Sequence, residues 1–305
     1  YATQNIFNGD VLLAANTASK VRILAGQNTA RSKIDVVVDI TKAFYDVLAT
    51  AQQVKVSDQS IARLEESLES AYSRYTSGVA DKTDYKRATI LLGNAKAERK
   101  ANSEALIFKQ QYLKSLMGYP MNHELPIQYD TVQMENEVML DTLQQMNYTE
   151  NIDYKILFTQ RELQEANIKY SYWGFLPSLN AFGAYILNYQ NNEFSELYHQ
   201  DYPYSYVGAT LAFPIFQGGK RTARIQEEKW RAKRLDLSLV DLRNNLSAEY
   251  SRALASYKSN LVAFQTQKDN VGLAEEVYQV INLQYQNGVR PYLDVTVAES
   301  DLRTT

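Results

Sequence analysis

Two ten-residue stretches decide the fold: Tyr285-Gln-Asn-Gly-Val-Arg-Pro-Tyr-Leu-Asp294 and an earlier copy, Tyr75-Thr-Ser-Gly-Val-Ala-Asp-Lys-Thr-Asp84. In both, Tyr, Gly, Val and Asp stand at the first, fourth, fifth and tenth positions, and the copies are 210 residues apart. Each stretch interrupts a long helical pattern with a glycine turn. A turn repeated at such a distance predicts that the unit around it is repeated too, so we infer an internal duplication.

Long helical patterns lead into both turns. Residues 10–75 contain no proline, and their apolar residues recur at steps of three, four or seven, which is a heptad pattern. A second such pattern runs over 220–285, and returning helices are predicted over 80–117 and from Tyr292 onward. At 1.5 Å per residue the first helix would be ~95 Å long, which predicts an elongated molecule.

Period-two alternation replaces the helical pattern in one part of the chain. A strand over 178–190 places Tyr185 and Tyr189 on an apolar and aromatic face, and a strand over 203–213 places Phe213 on a similar face. About ten residues suffice to cross a bilayer when the strand is tilted, so these three aromatic residues are predicted to face membrane lipid. An exposed hairpin packed on helices is the alternative.

The duplication divides the chain into three segments. The first repeat covers residues 1–118, and the second covers 148–305 and contains the hairpin of 178–213. Residues 119–147 carry two prolines and no clear period, which indicates an irregular segment with a short helix near Asp141–Met146. Because the chain opens without Met and closes within a helical pattern, we expect it to be truncated at both ends.

The predicted strands are too few to close a sheet within one chain. With a strand end over residues 1–7 only three strands are available, whereas lipid requires every backbone group to be paired, as in a closed barrel. If the strands cross a membrane, several chains must therefore share one β-barrel. Helices with two apolar stripes suit a ring in which each helix has two neighbours. The predicted fold class is mainly α with a small β part: long antiparallel coiled-coil helices forming an α-barrel, and strands contributing to a shared transmembrane β-barrel.

The composition of the chain and the motifs that it lacks argue against several functions. Basic and acidic residues number 32 and 35, a balance that argues against nucleic acid as a partner. The chain has no Cys, which excludes disulfides and thiolate metal sites. It has no nucleotide-binding or zinc-protease motif, and His123 and His199 lie in loop-like segments without ligand patterns. We therefore predict no cofactor, no metal site and no enzyme activity.

Several motifs together carry a resemblance to a known family. Phe-x-Gly marks two entries from a strand into a helix, Leu176-Pro-Ser-Leu179 leads into a strand, and a Tyr-x-x-Gly turn follows each long helix. The strand-to-helix junction residues are Phe7, Gly9, Pro214, Phe216, Gly218 and Gly219. In this order and spacing, over essentially the whole chain, the motifs resemble those of TolC-like outer-membrane efflux channels.

The resemblance implies a location, an assembly and partners. It implies a homotrimer in the outer membrane of a Gram-negative envelope, with one shared β-barrel among lipid and a helical tunnel through the periplasm. Such a channel is a passive exit duct of a tripartite efflux or type I export system. The turns would be periplasmic tips that dock a periplasmic adaptor (membrane fusion) protein and an inner-membrane pump. The docking residues would be Tyr75, Gly78, Val79, Tyr285, Gly288 and Val289.

The resemblance also implies a gate at the tips. Family members close the periplasmic entrance through polar contacts among tip helices. Matched residue by residue, Tyr285, Arg290 and Asp294 take such positions in the second tip, and Asp84 matches the first-tip partner of the tyrosine. One turn further, where the family often has an acid, this chain departs from the pattern with Val297. Arg290 and Asp294 stand four residues apart and can also pair within one helix. Solvated tip charges without a gating role are the alternative.

Two function classes fit these observations. One is a passive export channel, and the other is a periplasmic coiled-coil adaptor or scaffold without its own pore. The hairpin of 178–213 distinguishes them, because an adaptor has no need for two Tyr-rich strands with an apolar face.

Overall fold

Helices dominate the computed structural model, which describes residues 1–127, 134–136, 138–143 and 145–305. In chain order the elements are β1 (Ala2–Phe7), α1 (Gly9–Thr76), α2 (Lys82–Met117), a 3-10 turn (Tyr148–Glu150), α3 (Ile152–Trp173), β2 (Ser178–Tyr189), a second 3-10 turn (Phe194–Glu196), β3 (Asp201–Ala212), α4 (Lys220–Gln286) and α5 (Tyr292–Thr304). None of the helices in these ranges has a stretch long and apolar enough to cross a membrane. The long helices and the strands are present as predicted, so the fold class, mainly α with a small β part, is confirmed.

Two compact units divide the chain. The first consists of Tyr1–Ser32 and Gln145–Tyr250, and the second of Lys33–Gln144 and Ser251–Thr305. Each unit therefore contains part of α1 and part of α4. The sheet belongs to the first unit, and both glycine turns belong to the second.

The first unit holds a three-stranded antiparallel sheet with strand order β1-β2-β3. β2 and β3 pair along their whole length of 12 residues each. β1 pairs with the first half of β2, and its register shifts between Asn5 and Phe7. β1 and β3 are therefore the edge strands, and β2 lies between them.

One face of the β2–β3 hairpin is apolar and exposed. Opposite residues of an antiparallel pair share a face, so Tyr185 and Tyr189 lie on the same face as Val207 and Leu211. All four side chains are exposed, and Val207 reaches 89%. Phe213 lies one residue beyond β3 and is also exposed. The predicted alternation of the hairpin is therefore present in the structure.

A glycine determines how the other face of the hairpin packs. Gly208 lies opposite Phe182, and a Cβ atom at residue 208 would lie 2.5 Å from Cζ of that ring. The Phe182 ring also meets the Tyr206 ring edge-on, with 6.1 Å between centroids. Tyr206 in turn stacks on Tyr204, with 6.3 Å between centroids. Aromatic rings therefore cover this face, and one of them needs the space that the glycine leaves.

One core cluster of the second unit lies next to the glycine turns. Two alanines, Ala71 of α1 and Ala88 of α2, are fully buried there. Because their side chains are small, the two helices approach closely, and tyrosines of α4 and α5 fill the remaining space. The buried members of this core are Ala71, Ala88, Tyr278, Tyr285, Tyr292, Val295 and Ala298.

The short helix predicted near Asp141–Met146 is wrong. Residue 144 lies outside the described part of the chain, and the other residues there include a turn at 142–143 and no helix. Oδ1 of Asp141 accepts a hydrogen bond from the backbone N–H of Leu143 at 2.9 Å. An aspartate that binds the N–H two residues later stabilises a turn in place of a helix. Among the described residues of this irregular segment, 134–136 are helical.

We expect Gly208→Ala to destabilise the protein, because the new methyl group would overlap the Phe182 ring. Relieving such an overlap in a packed region costs about 1–3 kcal/mol. The measurement is the midpoint of thermal unfolding. Gly272→Ala in α4 is the matched control: a Cβ atom there meets open space, and alanine favours a helix more than glycine does. An unchanged midpoint for Gly208→Ala would contradict the importance of this contact.

Candidate functional site

The two glycine turns have the same backbone geometry. Gly78 has a φ of +73° and Gly288 a φ of +80°, both left-handed. Each glycine N–H donates to the carbonyl of the tyrosine three residues earlier, at 3.0 and 2.9 Å respectively. The N–H groups of Val79 and Val289 each donate to the carbonyl five residues earlier, both at 2.9 Å. This pattern is a helix C-terminus that requires a left-handed residue, which glycine supplies without strain.

The residues that begin the returning helices differ between the turns. Asp81 caps α2, since its Oδ1 accepts from the Thr83 N–H at 2.7 Å. That hydrogen bond lowers the pKa of Asp81, because it stabilises the charged carboxylate. Pro291 takes the matching position before α5, with a φ of −73°. The proline ring fixes φ near the value needed at the start of a helix. The first returning helix is therefore begun by a side-chain hydrogen bond and the second by a rigid ring.

One arginine connects the two turns. Nη1 of Arg74 donates to the carbonyl oxygens of Tyr285 and Gln286, at 2.9 and 3.0 Å. The last carbonyls of a helix lack partners within it, and a cation there is favourable. The guanidinium also lies over the Tyr285 ring, 4.9 Å from its centroid. Arg74 of the first turn therefore terminates the helix that leads into the second turn.

Tyr285 is a core residue of this chain. Only 2% of it is exposed, and its ring meets the Tyr292 ring edge-on at 5.4 Å. Its hydroxyl is buried and has no hydrogen-bond partner among the described residues. Burial raises the pKa of Tyr285, and the negative charge of Asp84 raises it further while Arg74 opposes the shift. The structure thus brings Asp84 close enough to act on Tyr285 electrostatically.

Other predicted tip residues are exposed. Arg290 and Asp294 pair with each other within one helix, with 2.9 Å between Nη1 and Oδ2. Val79 and Val289, which follow the two glycines, are 67% and 73% exposed. The surface of the turns therefore includes two exposed apolar side chains and one ion pair.

A buried ion pair fixes α5 to α1. Nε and Nη2 of Arg63 donate to the two carboxylate oxygens of Glu299, at 2.8 and 3.1 Å. The Ser60 hydroxyl donates to the same carboxylate at 2.7 Å, and Glu299 is only 5% exposed. Arg63 also lies over the Tyr278 ring at 5.7 Å. Burial raises the pKa of Tyr278 to about 12, and the charge of Glu299 contributes.

The sequence patterns do not predict Arg74 or the Arg63–Glu299 pair. A signal for Glu299 exists, because it stands seven residues after Tyr292 and so falls on the core face of α5. An acid on an otherwise apolar stripe indicates a buried partner. A signal for Arg74 exists as well, because the residue at the matching position of the second repeat is the uncharged Gln284. The arginine is therefore specific to the first repeat.

The two Phe-x-Gly junctions, in contrast, differ in geometry. α1 begins at Gly9 itself, immediately after β1, and Gly9 is not left-handed. Gly218 and Gly219 are both left-handed, with φ of +55° and +79°, and α4 begins only after them. Phe7 lies within β1, whereas Phe216 lies outside the strands and is 86% exposed. Both segments connect a strand to a helix, but the shared motif does not encode a shared turn.

We expect Glu299→Gln to lower the free energy of unfolding by about 3 kcal/mol, because the charge of Arg63 would lose its partner. The value lies at the lower end of the range for buried pairs because 27% of the Arg63 side chain is exposed. Glu98→Gln is the matched control, since it breaks the exposed pair with Arg303 and should cost less than about 1 kcal/mol. Unfolding by denaturant measures both, and equal costs would contradict the special role of Glu299.

Sequence comparison relates the chain to proteins of the outer membrane. Residues 159–305 match the family model described as outer membrane efflux protein. The outer membrane protein TolC of Vibrio cholerae serotype O1 is 20% identical over 310 residues, which cover 96% of this chain and 67% of TolC.

Solved structures share the fold. The outer membrane protein VceC from Vibrio cholerae superposes with a TM-score of 0.75 at 16% identity, covering 99% of this chain and 72% of VceC. The open state of the MtrE outer membrane channel of Neisseria gonorrhoeae gives a TM-score of 0.75 at 18% identity, covering 99% of this chain and 68% of MtrE. At these identities the likeness establishes the fold. Together with the family match over residues 159–305, it confirms the resemblance to TolC-like outer-membrane efflux proteins that the sequence motifs carry.

Proposed function

We propose that the chain is an outer-membrane channel, the passive exit duct of a tripartite efflux or type I export system. The family match over residues 159–305, joined to a fold shared over 99% of the chain, carries this proposal. A periplasmic adaptor without a pore is the competing function. The exposed apolar face of the β2–β3 hairpin favours the channel, because an adaptor surrounded by water has no use for it.

The functional unit is a homotrimer that shares one β-barrel. Within a chain, β1 and β3 are both edge strands of a three-stranded sheet. Their outer backbone groups would remain unpaired in lipid, which is too costly in a membrane. Pairing of edge strands between neighbouring chains closes the sheet and satisfies these groups. The exposed side chains of Tyr185, Tyr189, Val207 and Leu211 would then contact lipid.

The glycine turns dock the periplasmic adaptor and face the inner-membrane pump. Val79 and Val289 are the exposed apolar residues at the two turns, and each follows a glycine whose geometry is fixed by two hydrogen bonds. Arg74 holds the turns together, so the two valines are presented on a rigid support. Exposed apolar residues on a pre-organised backbone are typical of a protein contact site.

The charged residues of the second turn gate the entrance. Arg290 and Asp294 already pair within one helix, yet both remain partly exposed and retain capacity for further hydrogen bonds. In a trimer with a closed entrance, the same groups would contact the neighbouring chain. Tyr285 stabilises the backbone of the second turn, since its ring is buried between Arg74 and Tyr292.

The transport step itself requires no catalysis by this chain. The sequence contains no nucleotide-binding motif, and we infer that the energy comes from the partner pump. We also infer that the two structural repeats, residues 1–118 and 148–305, arose by duplication around the irregular segment of 119–147. The matching hydrogen bonds of the two turns support this division.

We expect the double variant Val79→Asp/Val289→Asp to lose adaptor-dependent efflux, because two charges would have to be desolvated on docking. Adaptor affinity should fall at least about tenfold, while the amount of folded trimer stays the same. The measurements are drug susceptibility in cells and adaptor binding by the purified trimer. Val79→Thr/Val289→Thr keeps the side-chain shape without charge and should retain most of the efflux. Full efflux by the aspartate variant would contradict docking through the turns.

We expect Arg290→Gln and Asp294→Asn each to raise the ion conductance of the trimer in planar bilayers, because each removes one partner of the closed entrance. The charge exchange Arg290→Asp/Asp294→Arg restores the pair within the helix but reverses the charges that a neighbouring chain would meet. If contacts between chains close the gate, conductance stays high in the exchanged variant. Wild-type conductance in both single variants would contradict the gate.

A further inference from the structure

A cavity lies in the first unit at the junction of β3 and α4, in a place that the channel function leaves unexplained. Its volume is about 350 Å³, room for roughly ten water-sized groups. The lining comes from the beginnings of α1 and α4 and the end of α3. It includes three cations, Lys220, Arg221 and Arg224, and no carboxylate. We call this feature the cation cavity.

The arginines of the cation cavity are held in place by neutral groups. Arg221 donates to the carbonyl oxygen of Pro214 at 2.8 Å, and its guanidinium lies over the Phe175 ring at 5.1 Å. Arg224 lies over the Tyr170 ring at 5.6 Å. Among the described residues none of the three cations has a carboxylate partner, so their charge is available to a ligand.

The nearby acid does not neutralise the cation cavity. Asp10 lies outside its lining, and one of its oxygens accepts a hydrogen bond from the Tyr170 hydroxyl at 2.5 Å. That hydrogen bond raises the pKa of Tyr170 and fixes the ring on which Arg224 rests. Asp10 therefore acts on the aromatic support of the cations.

Exposed apolar side chains lie close to the cation cavity in sequence, and one of them lines it. Leu176 lines it, and Phe213, Ile215 and Phe216 belong to the segment between β3 and α4. Their exposed fractions are 45%, 62%, 88% and 86%, respectively. We call these four residues the apolar collar. Cations beside exposed apolar and aromatic groups are typical of the boundary between lipid headgroups and water.

We propose that the cation cavity binds the phosphate headgroup of an anionic phospholipid whose acyl chains lie on the apolar collar. Lys220 and Arg224 contact the phosphate, and Arg221 orients the segment around Pro214. The proposal rests on the proposed function, because lipid must surround the strands next to the cavity. Charge complementarity selects the occupant, since a neutral headgroup leaves the three cations without a partner.

Trp173 lines the cation cavity and can report its occupancy. The chain has two Trp residues, so Trp173 is the only one left in the Trp230→Phe variant. This variant is reconstituted as the full chain into bilayers that contain brominated phosphatidylglycerol or brominated phosphatidylcholine. We expect stronger quenching of Trp173 fluorescence by the anionic lipid. Adding Lys220→Gln/Arg224→Gln should weaken the apparent affinity for phosphatidylglycerol about thirtyfold.

A matched control removes the same charges elsewhere on the same helix. Lys233→Gln/Arg234→Gln alters one exposed Lys and one exposed Arg of α4 outside the cavity and should retain the preference for phosphatidylglycerol. An equal loss in both double variants would overturn the site, because it would show a general effect of charge. A loss caused by inorganic phosphate but not by sodium chloride at equal ionic strength would identify free phosphate as the ligand and overturn the lipid.

The remaining outcomes separate this proposal from the channel itself. Equal quenching by the two brominated lipids means that the chain is in the bilayer without headgroup selection, which overturns the lipid site alone. An absence of quenching by either lipid means that Trp173 does not reach lipid, which contradicts the proposed membrane location as well.

Discussion

The tight reversal found after α1 and after α4 requires a residue that tolerates the left-handed backbone conformation, and this constraint shapes the second unit. Gly78 and Gly288 both satisfy it, with nearly equal φ angles. The reversal places α2 beside α1 and α5 beside α4, so that small residues of the first pair meet tyrosines of the second. It also places Arg74 against the end of α4. The core, the contact between the turns and the exposed valines all follow from this geometry.

Local patterns predicted most of the fold but little of the candidate site. Heptad spacing, strand alternation and glycine turns depend on neighbours in sequence, and the structure confirms those elements. The Arg63–Glu299 pair depends on two residues 236 positions apart in sequence, which no local pattern relates. The helix predicted near Asp141 was wrong for a local reason, because a single side-chain hydrogen bond favours the turn. Sequence thus indicated where the chain reverses but not which side chains hold the reversed helices together.

The two turns retain one backbone geometry and have diverged in side-chain chemistry. Left-handed glycine and its two hydrogen bonds are required for the reversal, so they appear in both copies. The cap can vary, since Asp81 binds a backbone N–H and Pro291 has no N–H to satisfy. The roles of the arginines also differ between the turns. Arg74 of the first turn donates to the Tyr285 carbonyl oxygen at the second turn, whereas Arg290 of the second turn forms an exposed ion pair. The first turn therefore supplies the arginine that binds the second turn, whereas the arginine of the second turn remains at the surface.

The many tyrosines serve two different physical purposes. Around the turns, Tyr278, Tyr285 and Tyr292 are buried, and burial raises the pKa of each. These rings fill space between helices, and their hydroxyls stay neutral at physiological pH. In the hairpin, Tyr185 and Tyr204 are exposed on opposite faces of the sheet. A ring with one polar atom suits both places, because it packs like an apolar group and tolerates water at its edge. A high tyrosine content is therefore compatible with two settings, rings packed between helices and rings left exposed on a sheet.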